Sequence, residues 1–384
     1  MNFIDDLKST PVLIATGTGG VGKTTMSCAL AIALAHRHDA RVLVITIDPA
    51  KRLASVLCEE NLGHVPQLIN HDRFMTEGKA RGEVFAAMVD TSLGWKDIVE
   101  RYAKSDKDAQ RIFNNKLYSN VTTRFSHSHD FVAMDQLYEH YHSGKFDYIV
   151  LDTPPTSQAF GFFDAPQAMS EFFGGRLVRL VTSPYRLGRG RAAKLFDLAS
   201  QPFFALADKV LGKEFLNDIG EFFFLFHTMY DDFVERATDI TGFLTSSRVH
   251  AALVVNPAQY LSRTYLPMCE GLGERKIHLD YLVVNNVPYT SAQRDEVEGY
   301  INDRSNESHP EHPVIADFIR RDWEVSAAIH DEMKRRKPAS FEEGIPGQLL
   351  PVIPAPRVFT LDEQERIAEL VANVQNIGAF DDTI

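Results

Sequence analysis

Gly17-Thr-Gly-Gly-Val-Gly22-Lys23-Thr24 matches the spacing G-x-x-x-x-G-K-[ST]. No other feature of the chain constrains the fold as much, because such a loop works only between a buried strand and a helix. Both neighbours are in place. Val12 to Thr16 is a short apolar run, and Thr24 to Arg37 is a helical stretch free of glycine and proline. Glycines let backbone N–H groups converge on phosphate oxygens, and the helix N-terminus adds positive potential. In this setting Lys23 reaches the β- and γ-phosphates and the Thr24 hydroxyl ligates Mg²⁺. The candidate nucleotide-binding residues are therefore Gly17, Thr18, Gly19, Gly20, Val21, Gly22, Lys23, Thr24 and Thr25.

Five more runs have strand character: Arg41–Ile47, Phe146–Leu151, His250–Val255, Leu279–Val284 and Leu349–Ile353, with Glu83–Val89 a weaker seventh candidate. Each of the five is short, β-branched and nearly continuously apolar, the pattern of strands buried on both faces of a parallel sheet. Helical stretches separate several of them. The expected fold is α/β, a doubly wound, mostly parallel sheet of the P-loop NTPase type. Two intervals, 92–142 and 161–247, are too long and too helical for simple crossovers. They predict a helical subdomain inserted into one domain spanning residues 1–384. The polar stretch Asn302–Pro313 reads as a surface loop, and there is no internal repeat.

A phosphate loop also needs a carboxylate near its metal, at the end of another buried strand. Asp152, after the run FDYIVL, takes that place, so Thr24 and Asp152 are the expected Mg²⁺ ligands. Asp48 ends the run RVLVITI and is a candidate, with Lys23, for the catalytic set, orienting or activating the attacking water. For either aspartate the structural alternative is a helix N-cap following a strand.

Charge and composition narrow the partners. Asp+Glu 52 against Lys+Arg 40 leaves a net charge of −12 on 384 residues, which repels phosphate backbones over most of the surface. Nucleic acid is not an expected partner. Apolar residues at 44% and charged residues at 24% are ordinary for a globular chain and exclude disorder. Cys28, Cys58 and Cys269 are scattered and form no C-x-x-C, which gives neither a zinc site nor a disulfide framework. Met1 to Thr10 lacks the apolar centre of a signal peptide, and no uncharged apolar run reaches 18 residues. The expectation is a cytoplasmic protein.

Taken together, these segments resemble the arsenical-pump and tail-anchored-protein-targeting ATPases, the ArsA-like group within the deviant Walker A class. Gly17 to Thr25 resembles the family's phosphate loop. Ile47-Asp-Pro-Ala-Lys51 is similar to its switch I, which places the water-directing role on Asp48, and Leu151-Asp-Thr-Pro-Pro-Thr156 to its switch II, which places Asp152 near Mg²⁺ and the γ-phosphate. Val283-Val-Asn285-Asn286 resembles the strand end whose first Asn reads the adenine edge, and Pro351 to Arg357, with Pro354, the late loop that packs on adenine. The resemblance implies ATP/ADP and Mg²⁺ as cofactors and a homodimer, or a heterodimer with a related chain. There are departures. The family's loop carries at its second position a lysine that reaches the partner's phosphates; here that residue is Thr18, and Lys51 or Arg52 stands nearby as a substitute or as a solvent-facing residue. Family members that bind zinc at the dimer interface use a C-x-x-C, which this chain lacks, so no zinc is expected.

Fifteen of the 26 phenylalanines fall between Phe160 and Phe243. Phe215, Ile219, Phe222, Phe226, Met229 and Phe233 form one helical stripe, read either as core or as a client surface. Phe224 lies on the opposite, polar face, packed within the insertion or open to a second contact. Arg176, Arg179, Arg186, Arg189, Arg191 and Lys194 make a basic island, either a solvated face or a contact for anionic headgroups or segments. His127 and His129 have no metal-site context. Thr360 to Ile384 reads as an acidic amphipathic helix. The expected function is a dimeric, Mg-dependent ATPase whose nucleotide state moves the helical subdomain, which handles a hydrophobic or membrane-associated protein client. The alternatives are an energising subunit of a membrane anion transporter and a non-hydrolysing, nucleotide-dependent scaffold.

Overall fold

The structure is a computed structural model. It describes residues 3–47, 52–75, 78–115, 117–118, 122, 128–154, 159–174, 221–226, 228–288, 299, 312–335, 352–356 and 367–372. In chain order its main elements are β1 (Val12–Thr16), α1 (Lys23–His38), β2 (Arg41–Thr46), α2 (Arg52–Val56), β3 (Gln67–Ile69), β4 (Glu83–Met88), α3 (Thr91–Tyr102) and α4 (Asp106–Asn114). There follow α5 (Ser128–His142), β5 (Tyr148–Asp152), α6 (Ala159–Gly174), α7 (Tyr230–Leu244) and β6 (Val249–Val255). The last are α8 (Pro257–Ser262), α9 (Leu266–Glu274), β7 (His278–Val287), α10 (His312–Arg335) and β8 (Val352–Pro356).

Continuous apolar runs bury both faces, and β1 and β5 are buried at every residue. The strands form one sheet in the order β3-β4-β2-β5-β1-β6-β7-β8. Every pairing is parallel except β3 with β4, which puts one antiparallel strand at an edge. The α/β, mostly parallel architecture expected from the runs is the one observed. Glu83–Met88 is a full strand beside β2, and β3 is an addition that its three residues were too short to announce.

The chain folds into two compact units, residues 1–88, 140–160 and 244–384 in one, 89–139 and 161–243 in the other. The first holds the sheet. Its main core joins α1, which buries Met26 and every residue from Ser27 to Ala35, to alternate residues of the central strands. Ile367, Leu370 and Val371 complete this core, so the apolar side of the expected C-terminal helix is buried over the part described.

In the second unit a cluster of aromatic residues is core. Trp95 is fully buried, with ring centroids 5.9 Å from Phe131, 6.0 Å from Phe226 and 6.2 Å from Phe233. Such pairs add about 0.5–1.5 kcal/mol each beyond the area they bury. Phe222, Phe226, Met229 and Phe233 of the predicted stripe are buried, whereas Phe224 is half-buried. The stripe is not one helix: an i→i−3 bond from Met229 N to Phe226 O marks a turn before α7. Phe215, Ile219, the basic island and His127 lie outside the described residues.

Two late expectations meet β8. Of the run Leu349–Ile353, Val352 and Ile353 are strand and the strand runs on to Pro356, while residues 349–351 lie outside those described. The predicted adenine-packing loop Pro351–Arg357 is strand over Val352–Pro356, with Pro354 opposite Val284. An edge strand tolerates proline because one side of it needs no ladder N–H. The expected loop Asn302–Pro313 lies outside the described residues except for His312 and Pro313, which open α10.

Candidate functional site

Parallel register brings the carboxyl ends of the central strands to one level. Asp152 ends β5 and stands opposite both Ala15 of β1 and Thr46 of β2. Chain connections diverge at this point of an open α/β sheet, and the crevice outside the strand ends is where such sheets bind ligands.

The loop after β1 is shaped by its glycines. A Cβ on Gly17 would stand 2.2 Å from the Val254 carbonyl oxygen, so only glycine lets the loop leave the sheet beside β6. Gly22 has φ +86°, and a Cβ there would meet Asn285 Nδ2 at 2.3 Å. Gly22 is also the N-cap of α1 and brings no side-chain cap, so the helix's first N–H groups face the loop. Lys23 is buried, and its Nζ donates to the carbonyls of Gly17 and Thr18 at 2.9 Å each. The ammonium thereby spans the loop from the inside.

Asp152 is 1% exposed. Its Oδ2 accepts hydrogen bonds from Thr24 Oγ1 at 2.7 Å and from Thr46 Oγ1 at 2.9 Å. Next to it, Thr153 donates through N and Oγ1 to the Ala15 carbonyl at 3.2 and 2.9 Å, tying β5 to β1 at the site. A cavity of about 280 Å³ opens here. Its wall is the loop and the start of α1 on one side, and Arg52, Ser55 and Val56 of α2 with Thr153 on the other. The donor set has a clear chemical character. Backbone N–H groups at a helix start, a lysine and an arginine suit a polyanion, and a hydroxyl next to a carboxylate suits a hard divalent cation.

The remaining predicted residues fall as follows. Thr18, Gly19 and Gly20 are exposed, and Thr25 lines the cavity. Asn285 sits at the end of β7, where its Nδ2 donates to the Val21 carbonyl at 2.8 Å, so the amide expected to read a base holds the loop in this structure. Asn286 beside it has φ +67°, and the β7–β8 register shifts between Asn285 and Val287. Pro354 is on β8, at the sheet edge. Asp48 and Lys51 lie outside the described residues.

A profile of the anion-transporting ATPase family matches residues 10–304. The chain belongs to this family. The matched span begins just before β1, ends beyond β7, and includes Gly17–Thr24, Asp48 and Asp152. Among curated relatives, the chain is 28% identical over 178 residues to the arsenical pump-driving ATPase of Escherichia coli, covering 45% of this chain and 28% of that one. It is 28% identical over 169 residues to ATPase GET3 of Rhodotorula glutinis, 44% of each chain. It is 27% identical over 158 residues to an ATPase ASNA1 homolog of Plasmodium chabaudi chabaudi, 41% of this chain and 37% of the relative. The chain thus spans under half the length of each of these relatives.

Around this cavity, several contacts escaped sequence reasoning. Thr46 was visible only as one residue of the run Arg41–Ile47, and its bond to Asp152 depends on β2 and β5 pairing. Gln259 donates through Nε2 to Thr18 Oγ1 at 2.6 Å and forms a capping box with Asn256 at the start of α8. That box was legible as N-x-x-Q directly after the run HAALVV. Its reach to the phosphate loop was not, since it needs β6 next to β1. Among the described residues no group of three metal-ligating side chains occurs, and no helix is long and apolar enough to cross a membrane.

Proposed function

We propose that this ATPase-family chain binds ATP with Mg²⁺ in the cavity at the ends of β1 and β5 and hydrolyses it. What carries the reading is the contact of Thr24 with the buried Asp152 beside Lys23. One hydroxyl and one carboxylate fit Mg²⁺, which takes few protein ligands and completes its shell with water and phosphate oxygens. When bound, the ion neutralises charge on the β- and γ-phosphate oxygens. The residues of the chain do the rest. The α1 N–H groups and the Gly20–Gly22 backbone cradle the phosphates, and Lys23 transfers its donors from the Gly17 and Thr18 carbonyls to the entering phosphate chain. Asp48 orients the attacking water, Asn285 exchanges its bond to Val21 for the base, and Pro354 packs near it.

The nucleotide state then passes to the helical unit, which handles a hydrophobic or membrane-associated protein client, with two copies of the chain, or this chain and a related one, closing on the nucleotide. Support for this part is the resemblance of the phosphate loop and the two switch segments, together with family membership. The name of the Escherichia coli relative, a pump-driving ATPase, favours a second reading in which the chain energises a membrane anion transporter. The neutral Thr18 in the loop is the feature behind a third, a nucleotide-dependent scaffold without turnover.

The test is ATP turnover measured alongside molar mass by light scattering, with and without ATP and Mg²⁺. Turnover with an ATP-dependent rise to twice the chain mass supports the first reading. Tight binding without turnover supports the scaffold. Asp48→Asn should bind ATP and fail to hydrolyse it, whereas Lys23→Ala should lose affinity for the nucleotide itself.

A further inference from the structure

The charged residues on the cavity wall are two, Lys23 and Arg52, among the residues described. The chain as a whole carries a net charge of −12, so a wall with two cations runs against the average surface and suits a polyanion. The two cations come from opposite sides. Lys23 belongs to the loop after β1 and is 7% exposed, whereas Arg52 begins α2, beyond the end of β2, and is open to solvent. Ser55, one turn along α2, lines the same wall, so this face of the short helix presents a guanidinium and a hydroxyl together. The loop offers no second cation of its own: Thr18 is neutral, and its hydroxyl accepts from Gln259. Arginine is suited to such a place, because its planar fork gives paired donors to a phosphate and stays charged at any working pH.

We propose that Arg52 is a catalytic residue of this site, its guanidinium binding the terminal phosphate of the nucleotide and stabilising the charge that develops as that phosphoryl group transfers. The inference rests on the ATP-binding reading of the same cavity. In the step it serves, a water oxygen bonds to the γ-phosphorus while the bond from that phosphorus to the β–γ bridging oxygen breaks. The bond electrons leave with ADP, the water proton passes into the phosphate product and its surrounding solvent, and nothing is oxidised or reduced. Arg52 stays protonated throughout.

The experiment uses the full chain as wild type, Arg52→Lys and Arg52→Ala, each checked for folding by a thermal melt. Calorimetric titrations with ADP and with ATPγS, both with Mg²⁺, are paired with ATP turnover. ADP affinity should stay within about threefold in all three proteins. The preference for ATPγS over ADP should fall about tenfold or more in Arg52→Ala, with Arg52→Lys between, and turnover should fall about 10²-fold or more. An unchanged ATPγS-to-ADP ratio, or equal losses for both nucleotides, overturns the role of Arg52. A wild-type chain that binds neither nucleotide overturns the ATP reading itself. One that binds both without turnover leaves the affinity ratio to decide for or against Arg52. Should Arg52→Ala not fold, Arg52→Gln, which keeps much of the stem, carries the same comparison.

Discussion

Thr24 and Asp152 are 128 residues apart in the chain, yet Thr24 Oγ1 donates to Asp152 Oδ2 across 2.7 Å. The first turn of α1 and the last residue of β5 are thereby joined where the proposed metal would sit. Thr46 donates to the same oxygen from β2, so a helix and two strands converge on one buried carboxylate.

Asp152→Ala removes the acceptor of both hydroxyls from a buried position. The expected cost is about 1–3 kcal/mol in urea unfolding, the range for polar groups left without their partner. ATP turnover should fall about 10²-fold or more, and its dependence on Mg²⁺ concentration should shift to higher concentrations. Turnover with the wild-type Mg²⁺ requirement would remove Asp152 from the metal site.

Gly20 and Gly22 separate backbone strain from steric conflict. Both have positive φ, +81° and +86°, but a Cβ on Gly20 meets nothing within 4 Å while one on Gly22 meets Asn285 Nδ2 at 2.3 Å. Gly20→Ala should lose about 1–2 kcal/mol from the left-handed backbone alone. Gly22→Ala should lose more and weaken nucleotide binding. Adding Asn285→Ala to it should bring the stability back toward the Gly20→Ala value, as measured by denaturant midpoints.

In the helical unit Asp135 is buried between two arginines, with Arg236 Nε at 2.6 Å and Arg101 at 3.3 Å. Arg236 also reaches Glu139 and lies over the Tyr138 ring at 4.0 Å. Burial pushes the Asp135 carboxyl up, while the two guanidiniums pull it down. Arg236→Ala should cost about 3 kcal/mol, mainly through the uncompensated carboxylate, and an Asp135→Leu/Arg236→Met pair should recover most of it. Burial already outweighs both guanidiniums and holds this carboxyl above its usual range. With Arg236 gone it rises further, so the penalty should shrink as pH falls through that raised value. A pH series of denaturation curves checks both sign and size.

His250 at the start of β6 bonds to Asp280 of β7, which holds the imidazole above its usual value against the opposing effect of burial. A folded-state pKa raised above the unfolded one adds stability that is full below the unfolded value and is lost as pH rises through the folded one. His278, with its ring centroid 6.1 Å away, is the nearby ring that would oppose a second charge. The thermal midpoint of the wild type should therefore fall on going from about pH 6 to pH 8 by more than that of Asp280→Asn. Equal slopes in the two proteins would show that the pair does not titrate with folding.

Local chemistry made much of the site legible. A strand, a glycine loop and a helix follow one another without interruption between Val12 and His38, and the run before Asp152 is apolar enough to be a central strand on its own. The edges were harder. β3 spans three residues, and β8 carries two prolines within Val352–Pro356, because edge strands are held by fewer partners and show weaker apolar patterns. Asn285 illustrates the same limit at the site: its type and strand-end position were plain, but not its hydrogen bond to Val21.

The phosphate loop, the parallel sheet and the aspartate at a strand end were determined by the sequence itself, since each depends on residues a few positions apart. Strand order decided the rest. Placing β5 between β1 and β2 brings Thr24 and Thr46 onto Asp152, and placing β6 beside β1 brings Gln259 to Thr18. The wall that pairs Arg52 with Lys23 arises in the same way. These contacts join segments far apart in sequence, and a hydrogen bond between them depends on sheet register and side-chain packing that no local pattern encodes.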